Sequence, residues 1–385
     1  MNTADAVVIG GGIAGVSIAA ELAGRGLAVT LLEAESTLAF HTTGRSAAQY
    51  LINYGNDVIR RLTIASAPFF AEGADDPLWS IRPFMRVGRD NMMEILRAEV
   101  AAALTLSPVT EFLDGDEARA VVSALSPDVA GALYEPDAME LDVAAIHQTY
   151  VQRIRRAGGE ITTDARVSAL QPGDTWRVLA GEHRISTPLV VNAAGAWGDS
   201  LGKLAGVTPL GLYPLRRTIG VATIPPNIDP ATVAAWPLIG FESGDGGMDG
   251  YCKPEGRGLL ISPADETPSP PCDARPEEID VAQALEAARR WLDLDLQHIS
   301  TSWAGLRTFA GDRSPVAGFD AEVPGFFWMV GQGGYGIQMA PGLATAAASL
   351  AVDGTLPSDL QTAGLRAEDL APDRPGVLGP LTPAH

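Results

Sequence analysis

The chain has 385 residues, of which 46% are hydrophobic and 19% charged, a composition typical of a soluble globular protein with more than one core. Its formal net charge of −20 argues against nucleic acid and against an anionic membrane surface, because both are bound by clustered Lys and Arg. Cys252 and Cys272 are too few for a disulfide framework or a four-cysteine metal site. We therefore expect a cytoplasmic protein without a metal centre.

The first thirty residues contain the strongest local pattern. Ala6–Ile9 is a short apolar run that predicts a buried parallel strand, and residues 10–15 (GGGIAG) fit G-x-G-x-x-G. Val16–Ala23 then predicts a helix, and a second strand over 28–32 ends at Glu33. Charged residues and glycines within this stretch argue against a membrane span or a signal peptide.

Each glycine of this turn has a distinct physical role in dinucleotide binding. Gly10 makes the tight turn, Gly12 lets a pyrophosphate approach the backbone at a helix N-terminus, and Gly15 lets the helix pack closely on the strand. Glu33 is placed to accept hydrogen bonds from ribose hydroxyls. The pattern predicts a dinucleotide site.

Two later segments favour FAD over NAD as the dinucleotide. "TPLVVNAAGAWGD" (187–199) is an apolar strand that runs into Gly195 and Trp197. Residues 325–354 read as a strand, a glycine-rich turn over 331–336 and a helix of small residues, which together aim backbone amides at an anion. A dinucleotide held from both ends of the chain fits FAD better than NAD.

The segments divide into two interleaved domains. We predict an α/β, Rossmann-like FAD-binding domain from residues 1–80, 145–210 and 300–370. We predict an α+β substrate-binding domain with a mixed sheet from residues 81–144 and 211–299. The proline-rich tail, residues 371–385, is expected to be mobile.

Several motifs in order along nearly the whole chain resemble one family. These are the turn over 10–15, Glu33, "HTTGRSAAQY" (41–50), "VVNAAGAWGD" (190–199), "LGLYPLRR" (210–217), "WAGLRTF" (303–309) and "GQGGYGIQ" (331–338). Together they resemble the D-amino acid oxidase-like (glycine/D-amino acid oxidase) flavoenzymes, and within that family the bacterial FAD-dependent D-arginine dehydrogenase type. The resemblance implies FAD-dependent oxidative deamination of D-amino acids, in which a hydride moves from the substrate Cα to flavin N5.

The resemblance also implies which residues contact FAD. They are Gly10, Gly12, Ile13, Ala14, Gly15, Glu33, Ala34, Thr43, Gly44, Arg45, Ser46, Ala47, Ala48, Gln49, Val167, Ala194, Gly195, Trp197, Arg307, Gly331, Gly333, Gly334, Tyr335, Gly336 and Ile337. For Arg45 two roles stay open, a contact with the phosphates or a tie between the loop and a carboxylate. Non-covalent FAD is expected because the flavin loops contain no cysteine, with a link through His41 as the alternative.

The substrate site implied by the resemblance is a carboxylate clamp. Arg217 and Arg307 match the clamp, and a guanidinium fork suits a planar carboxylate. Tyr54 and Tyr251 match tyrosines that line the pocket, and Tyr335 is expected at substrate or cofactor. Hydride transfer needs little beyond correct positioning once the amine has lost its proton.

Two positions depart from the D-arginine pattern. Gln49 stands where that type has a histidine, and glutamine cannot titrate. Phe84 stands where that type has a glutamate that receives the guanidinium. Because an apolar pocket solvates a cation poorly, we predict weak use of D-arginine and D-lysine and better use of apolar D-amino acids.

Three other functions remain open from the sequence. They are a secondary-amine oxidase for glycine, sarcosine or proline-like substrates, an FAD-dependent 2-hydroxy acid dehydrogenase, and a flavin-binding subunit that needs a partner chain. The electron acceptor, which is oxygen, a quinone or another carrier, is also left open. In each case the substrate is a small molecule.

Overall fold

The computed structural model describes residues 2–71, 78–244 and 248–383. The strands in chain order are β1 (Asn2–Thr3), β2 (Ala6–Ile9), β3 (Val29–Leu32), β4 (Gln49–Tyr50), β5 (Trp79–Ile81), β6 (Phe84–Gly88), β7 (Glu111–Asp114), β8 (Gly131–Glu135), β9 (Met139–Leu141), β10 (Glu160–Thr162), β11 (Val167–Gln171), β12 (Trp176–Ala180), β13 (His183–Thr187), β14 (Leu189–Asn192), β15 (Tyr213–Thr223), β16 (Leu238–Glu242), β17 (Gly250–Glu255), β18 (Gly258–Ser262), β19 (Thr267–Pro268), β20 (Ile299–Phe309), β21 (Val316–Phe319), β22 (Phe326–Val330) and β23 (Gln332–Gly333).

The α-helices are α1 (Ile13–Gly24), α2 (Asp57–Ala71), α3 (Met93–Ala103), α4 (Gly115–Val121), α5 (Val143–Arg156), α6 (Gly198–Leu204), α7 (Pro230–Ala234), α8 (Glu278–Trp291), α9 (Gly336–Val352) and α10 (Ser358–Thr362). Short 3₁₀ helices cover Thr42–Arg45, Asp90–Met92, Gly195–Trp197 and Ala367–Asp369.

The first sheet is the parallel sheet, with strand order β10-β3-β2-β14-β22-β21. All neighbouring pairs are parallel except β21 with β22. Both faces of β2 are buried: Ala6 and Val8 pack in a cluster with α1, α5 and α9, whereas Val7 and Ile9 pack in a second cluster with the four-stranded mixed sheet β1-β13-β12-β11. The continuous apolar run of β2 follows from this burial on both sides.

The second large sheet is the long sheet, with strand order β23-β20-β15-β18-β17-β16-β6-β8-β7 and β19 beside β15. It is mixed, because β16 and β6 are parallel while their other neighbours are antiparallel. Side chains alternate between its two faces. Met85, Ile239 and Cys252 are fully buried in a cluster with α8, and the opposite face carries Phe84 and Tyr251. The predicted fold class, a Rossmann-like α/β domain with a mixed second sheet, is confirmed.

One strand differs from the sequence-based division. Strand β20 pairs with β15 from Phe309 opposite Tyr213 to Ile299 opposite Ala222, so it belongs to the long sheet although residues 300–370 were predicted to join the FAD segments. Periodicity identifies a strand but does not identify its partner. The remaining domain boundaries stay predictions.

The tail expected to be mobile is packed over its described part, residues 371–383. Val377 is fully buried, and Arg374 forms a two-pronged ion pair with Asp312. The Tyr213 hydroxyl donates a hydrogen bond to the carbonyl of Gly379. Prolines restrict a chain without excluding burial, so composition alone misjudged this segment.

Candidate active site

The glycine turn between β2 and α1 is held by close backbone contacts. Gly10 has φ +117°, and a Cβ there would lie 2.4 Å from the Ala193 carbonyl oxygen. A Cβ on Gly15 would lie 1.8 Å from the Gly10 carbonyl oxygen. A Cβ on Gly12 would meet only the Thr43 hydroxyl, at 3.1 Å. Gly10 and Gly15 are therefore required by packing, while Gly12 keeps backbone open toward the site.

The acid after β3 is already engaged with this turn. Both oxygens of Glu33 accept backbone hydrogen bonds, one from Gly11 at 2.6 Å and one from Glu35 at 2.8 Å. The Thr43 hydroxyl accepts from the amide of Ile13 at 3.0 Å, in the first turn of α1. A carboxylate oxygen can accept more than one hydrogen bond, so Glu33 can also accept hydrogen bonds from ribose hydroxyls.

The loop over residues 42–48 is tied to the long sheet. The Arg45 guanidinium donates to the carbonyls of Ala274 and Ala304, both at 2.7 Å, and pairs with the Asp273 carboxylate. Of the two alternatives left open for this arginine, the structure contains the carboxylate tie. Ala48 has φ +59°, a strained conformation for a residue with a Cβ, and such strain is common at functional sites.

The second glycine turn, at the start of α9, makes room for an arginine. A Cβ on Gly334 would lie 1.5 Å from Nη2 of Arg307, and a Cβ on Gly333 would lie 2.2 Å from the Phe309 ring. The Tyr335 ring packs edge-on against Tyr54 with centroids 4.7 Å apart. The turn therefore brings backbone close to Arg307 at the point where α9 begins.

Both turns and the loop line one cavity of about 1460 Å³. Of the predicted site residues, those that line it are Gly10, Gly12, Ile13, Ala14, Glu33, Ala34, Thr43, Arg45, Ser46, Ala47, Ala48, Gln49, Tyr54, Phe84, Val167, Ala194, Gly195, Trp197, Arg217, Tyr251, Arg307, Gly331, Gly333, Gly334, Tyr335, Gly336 and Ile337. Gly15 and Gly44 do not line it. Gly15 packs on Gly10, and a Cβ on Gly44 would lie 2.5 Å from the Ala39 carbonyl oxygen.

One end of the cavity, the anion end, contains the two predicted clamp arginines. Nη2 of Arg307 donates to the Tyr54 hydroxyl at 3.0 Å, and the Arg217 guanidinium lies 5.9 Å from the Tyr251 ring centroid. Burial and the charge of Arg307 lower the pKa of Arg217. Burial opposes ionisation of Tyr54, but the two guanidinium groups outweigh it and lower the pKa of its hydroxyl. Positive charge is thus concentrated here.

Sequence reasoning missed the partners that hold these arginines. Arg217 donates from Nε to the Asp265 carbonyl at 2.7 Å, and its Nη2 lies 3.8 Å from Glu266. Glu266 receives two hydrogen bonds from Arg313, whose Nε donates to the Thr382 carbonyl. Glu266 and Arg313 both line the cavity. No motif marks them, because they come together only through tertiary packing and the folded tail.

A second part of the cavity on the substrate side, the far lobe, lies between β6, β8 and α3. Phe84 lies here, and its strand neighbour Glu135 directly opposes it. Gln49 donates to the Arg82 carbonyl at 2.7 Å, while its Oε1 is buried without a partner among the described residues. Phe84 is apolar as expected, but Glu135 places a carboxyl where the sequence predicted an apolar pocket. The adjacent strand that supplies it cannot be read from a local motif.

Across residues 2–71, 78–244 and 248–383, no cluster of three or more His, Cys, Asp or Glu side chains could hold a metal ion. Neither cysteine is in a disulfide; Cys252 is buried and Cys272 exposed. Within the same ranges, no helix is long and apolar enough to cross a membrane.

The residues present fit a dinucleotide. Gly12 leaves backbone exposed at the N-terminus of α1, Glu33 lies at the cavity wall, and the turn before α9 offers a second set of backbone amides. A pyrophosphate and a ribose can therefore be held at this part of the cavity, the dinucleotide end, with the anion end left for a second molecule. This is the arrangement that FAD and a small substrate require.

Comparison with known proteins agrees with this arrangement. The DAO family, described as FAD dependent oxidoreductase, matches residues 5–350. A curated relative, the tRNA 5-methylaminomethyl-2-thiouridine biosynthesis bifunctional protein MnmC of Burkholderia pseudomallei (strain 668), is 28% identical over 347 residues. That match covers 82% of this chain and 48% of the relative, so the chain spans about half the length of the curated relatives it matches.

Solved structures share the fold. Glycine oxidase from Geobacillus kaustophilus has a TM-score of 0.78 at 20% identity, covering 91% of this chain and 95% of that one. L-proline dehydrogenase from P. horikoshii has a TM-score of 0.77 at 21% identity, covering 92% and 94%. L-amino acid deaminase from Proteus vulgaris has a TM-score of 0.79 at 17% identity, covering 97% of both chains. From the family match, the chain belongs to the DAO family of FAD-dependent oxidoreductases, with FAD as its cofactor.

Proposed function

We propose that the protein catalyses the oxidative deamination of D-amino acids. The carboxylate of the substrate lies between Arg217 and Arg307, and the Tyr54 and Tyr251 hydroxyls complete the anion end. The product is an imino acid, which water hydrolyses to a 2-oxo acid and ammonia. The preferred side chains are apolar, because Phe84 and Leu238 line the cavity beyond the clamp.

The observation that carries this proposal is the excess of positive charge at the anion end. Arg217, Arg307 and Arg313 lie around the pocket, with Asp265 and Glu266 as the facing acids. Burial raises the pKa of Asp265, so that acid is the weaker counter-charge. One carboxylate would balance this charge, and guanidinium groups bind carboxylates in a forked geometry.

The chain's contribution to the reaction is mainly positioning. FAD, when bound, supplies the acceptor for the hydride that leaves the substrate Cα. The clamp fixes the carboxylate, and Tyr335 and Tyr54, packed against each other, close the wall beside it. Holding the Cα–H bond in one orientation accounts for a large share of the barrier reduction in such a transfer.

A second candidate is the oxidation of secondary amines. The name of the MnmC relative includes a methylaminomethyl group, which is a secondary amine, and one solved neighbour is named a proline dehydrogenase. Another solved neighbour is named a glycine oxidase. A 2-hydroxy acid dehydrogenase would hold its substrate carboxylate with the same two arginines, so 2-hydroxy acids are included in the test. A flavin subunit that needs a partner chain would show no reaction with any compound of the panel.

The test is anaerobic mixing of the FAD-loaded protein with a panel of D- and L-amino acids, N-methyl amino acids and 2-hydroxy acids. Bleaching of the flavin band by apolar D-amino acids is the expected result. Reoxidation in air, compared with reoxidation by a quinone, identifies the electron acceptor. Faster bleaching by L-amino acids, by N-methyl amino acids or, in acid solution, by D-arginine would contradict the proposal.

Two further proposals concern the cofactor and the location. FAD is bound without a covalent link: among the described residues that line the cavity there is no cysteine, and Nε2 of His41 lies 3.1 Å from Glu35. Release of all flavin into the supernatant after acid precipitation is the expected result. A cytoplasmic location is proposed because the two cysteines are unpaired.

A further inference from the structure

The far lobe contains a buried carboxyl group that the clamp does not use. Glu135 is 4% exposed and lines the cavity from the end of β8. One of its oxygens accepts a hydrogen bond from the Asn53 amide at 3.1 Å. Directly opposite on β6 stands Phe84, so the apolar wall of the lobe ends beside a carboxyl. A carboxyl in such a place must be solvated, neutralised or paired.

The other acids of the far lobe already have charged partners. Arg86 pairs with Glu99 at 3.1 Å and with Glu242. Arg60, on α2, donates to the Asn53 carbonyl and lies 3.7 Å from Asp57. Glu135, by contrast, has an amide as its hydrogen-bond partner among the described residues. It is therefore the carboxyl in the lobe that has capacity for a ligand.

The far lobe and the anion end are contacted by one loop. Asn53, which bonds Glu135, directly precedes Tyr54, which bonds Arg307. Consecutive Cα atoms are about 3.8 Å apart, so two neighbouring residues of one loop contact the anion end and the far lobe. Phe84, which opposes Glu135, packs in the same cluster as Tyr251 of the anion end.

We propose that Glu135 is the specificity-determining residue that distinguishes uncharged from cationic substrate side chains. This inference rests on the proposed function, because it takes the carboxylate of the ligand to be held by Arg217 and Arg307. When Glu135 is neutral, the lobe accepts apolar side chains along Phe84. When Glu135 is ionised, it binds the cationic end of a longer side chain.

The surroundings of Glu135 place this change near neutral pH. Burial raises the pKa of Glu135 to about 7, and the charge of Asp137 acts in the same direction. The Asn53 hydrogen bond and the charge of Arg60 act against them. Below this pKa the carboxyl is protonated and a cation in the lobe is unpaired. Above it the carboxylate offers a charge-assisted hydrogen bond, so cationic ligands gain affinity as the pH rises.

Binding of non-reacting ligands tests this directly. The probes are two series of straight-chain carboxylates from butyrate to octanoate, one ending in a methyl group and one in an ammonium group. Dissociation constants for the FAD-loaded protein are measured by calorimetry between about pH 5.5 and about pH 8.5, a range in which the ammonium stays charged. The ratio of the two constants at each chain length removes effects common to both series.

For at least one chain length, we expect the affinity of the ammonium ligand relative to its methyl counterpart to rise about tenfold between the lowest and the highest pH. This is the scale of one charged hydrogen bond. Glu135→Gln should abolish this gain. Asp137→Asn should keep it but move its midpoint to lower pH, because the residue that raises the pKa is removed. A ratio that does not change with pH, or a gain that survives in Glu135→Gln, would overturn the assignment.

The experiment separates this inference from the proposed function. It needs carboxylate binding but no turnover. If amino acids fail to bleach the flavin while the ratio still changes with pH, the proposed reaction is wrong and the role of Glu135 stands. If D-amino acids are oxidised while the ratio stays constant, the proposed reaction stands and the role of Glu135 is wrong.

Discussion

The dinucleotide end of the cavity and its substrate side, which comprises the anion end and the far lobe, are built in different ways. At the dinucleotide end the wall is largely backbone, and Gly10 and Gly15 are fixed by contacts of less than 2.5 Å that any Cβ would make. At the anion end and in the far lobe the wall consists of long side chains, such as Arg217, Arg307 and Glu135, that come from separate strands of the long sheet. The dinucleotide end is formed mainly by residues close together in sequence, whereas the substrate side is formed by residues that tertiary packing brings together.

This difference predicts how each end fails. A change in the backbone wall should remove the cofactor, because no neighbouring side chain can move to accommodate a new Cβ. A change in the side-chain wall should leave FAD in place and alter which ligands bind. The three variants below test that separation, from the largest expected effect to the smallest.

Gly15→Ala should have the largest effect. The new Cβ would lie 1.8 Å from the Gly10 carbonyl oxygen, so α1 must move away from β2. We expect FAD affinity to fall by at least about 100-fold, equivalent to about 2.7 kcal/mol. The measurement is fluorescence titration of the apoprotein with FAD. Gly24→Ala is the matched control, because a Cβ at the end of α1 meets nothing within 4 Å. Equal loss in both variants would contradict the packing argument.

Arg217→Lys should have an intermediate effect and spare the cofactor. Lysine keeps the charge but loses the fork and the hydrogen bond from Nε to the Asp265 carbonyl. We expect the KM of the best amino acid to rise about 30-fold with FAD content unchanged, a loss of about 2 kcal/mol. Arg216→Lys is the control, because Arg216 pairs with Glu277 and Asp280 instead. Loss of FAD in Arg217→Lys would show that the two ends are not separable.

The dinucleotide end could be predicted from the sequence more fully than the substrate side, because its residues are close together in the chain. The strand, turn and helix around Gly12 and the turn at Gly334 lie within short segments, so spacing alone identifies them. Arg217 and Arg307 were reached through the family resemblance, which records a tertiary arrangement indirectly. Glu135 was missed because its neighbour Phe84 lies on another strand, and strand pairing is not visible in a single sequence.

The same reason explains the errors in the fold. The pattern of β20 identifies a strand, but only pairing with β15 shows that it belongs to the long sheet. The tail was expected to be mobile from its prolines. However, Val377 packs in an apolar cluster formed by distant segments, and Arg374 forms an ion pair with Asp312. Both errors concern contacts between distant segments, as the missed acid does.

Glu135→Gln should have the smallest effect of the three, a pH-dependent gain in stability. An acid whose pKa rises on folding keeps its proton in the native state after the unfolded chain has lost it. The native state therefore loses stability as the pH rises from the unfolded pKa, about 4.5, through the folded value of about 7. Glutamine cannot ionise, so the variant avoids this loss. Its advantage should be absent in acid and complete above the folded pKa.

Urea unfolding of the FAD-loaded protein measures this. We expect the stability gain of Glu135→Gln at about pH 8.5 to exceed that at about pH 5.5 by about 1 kcal/mol, less than the full shift implies because water in the cavity screens the charge. Glu242→Gln is the control: it removes an acid that is paired with Arg86, so it should destabilise the protein. A pH-independent difference for Glu135→Gln would mean that its carboxyl is solvated like a surface acid. The far lobe would then be open to solvent. Only Arg217 and Arg307 at the anion end would then provide the tertiary side-chain construction that sets the substrate side apart from the dinucleotide end.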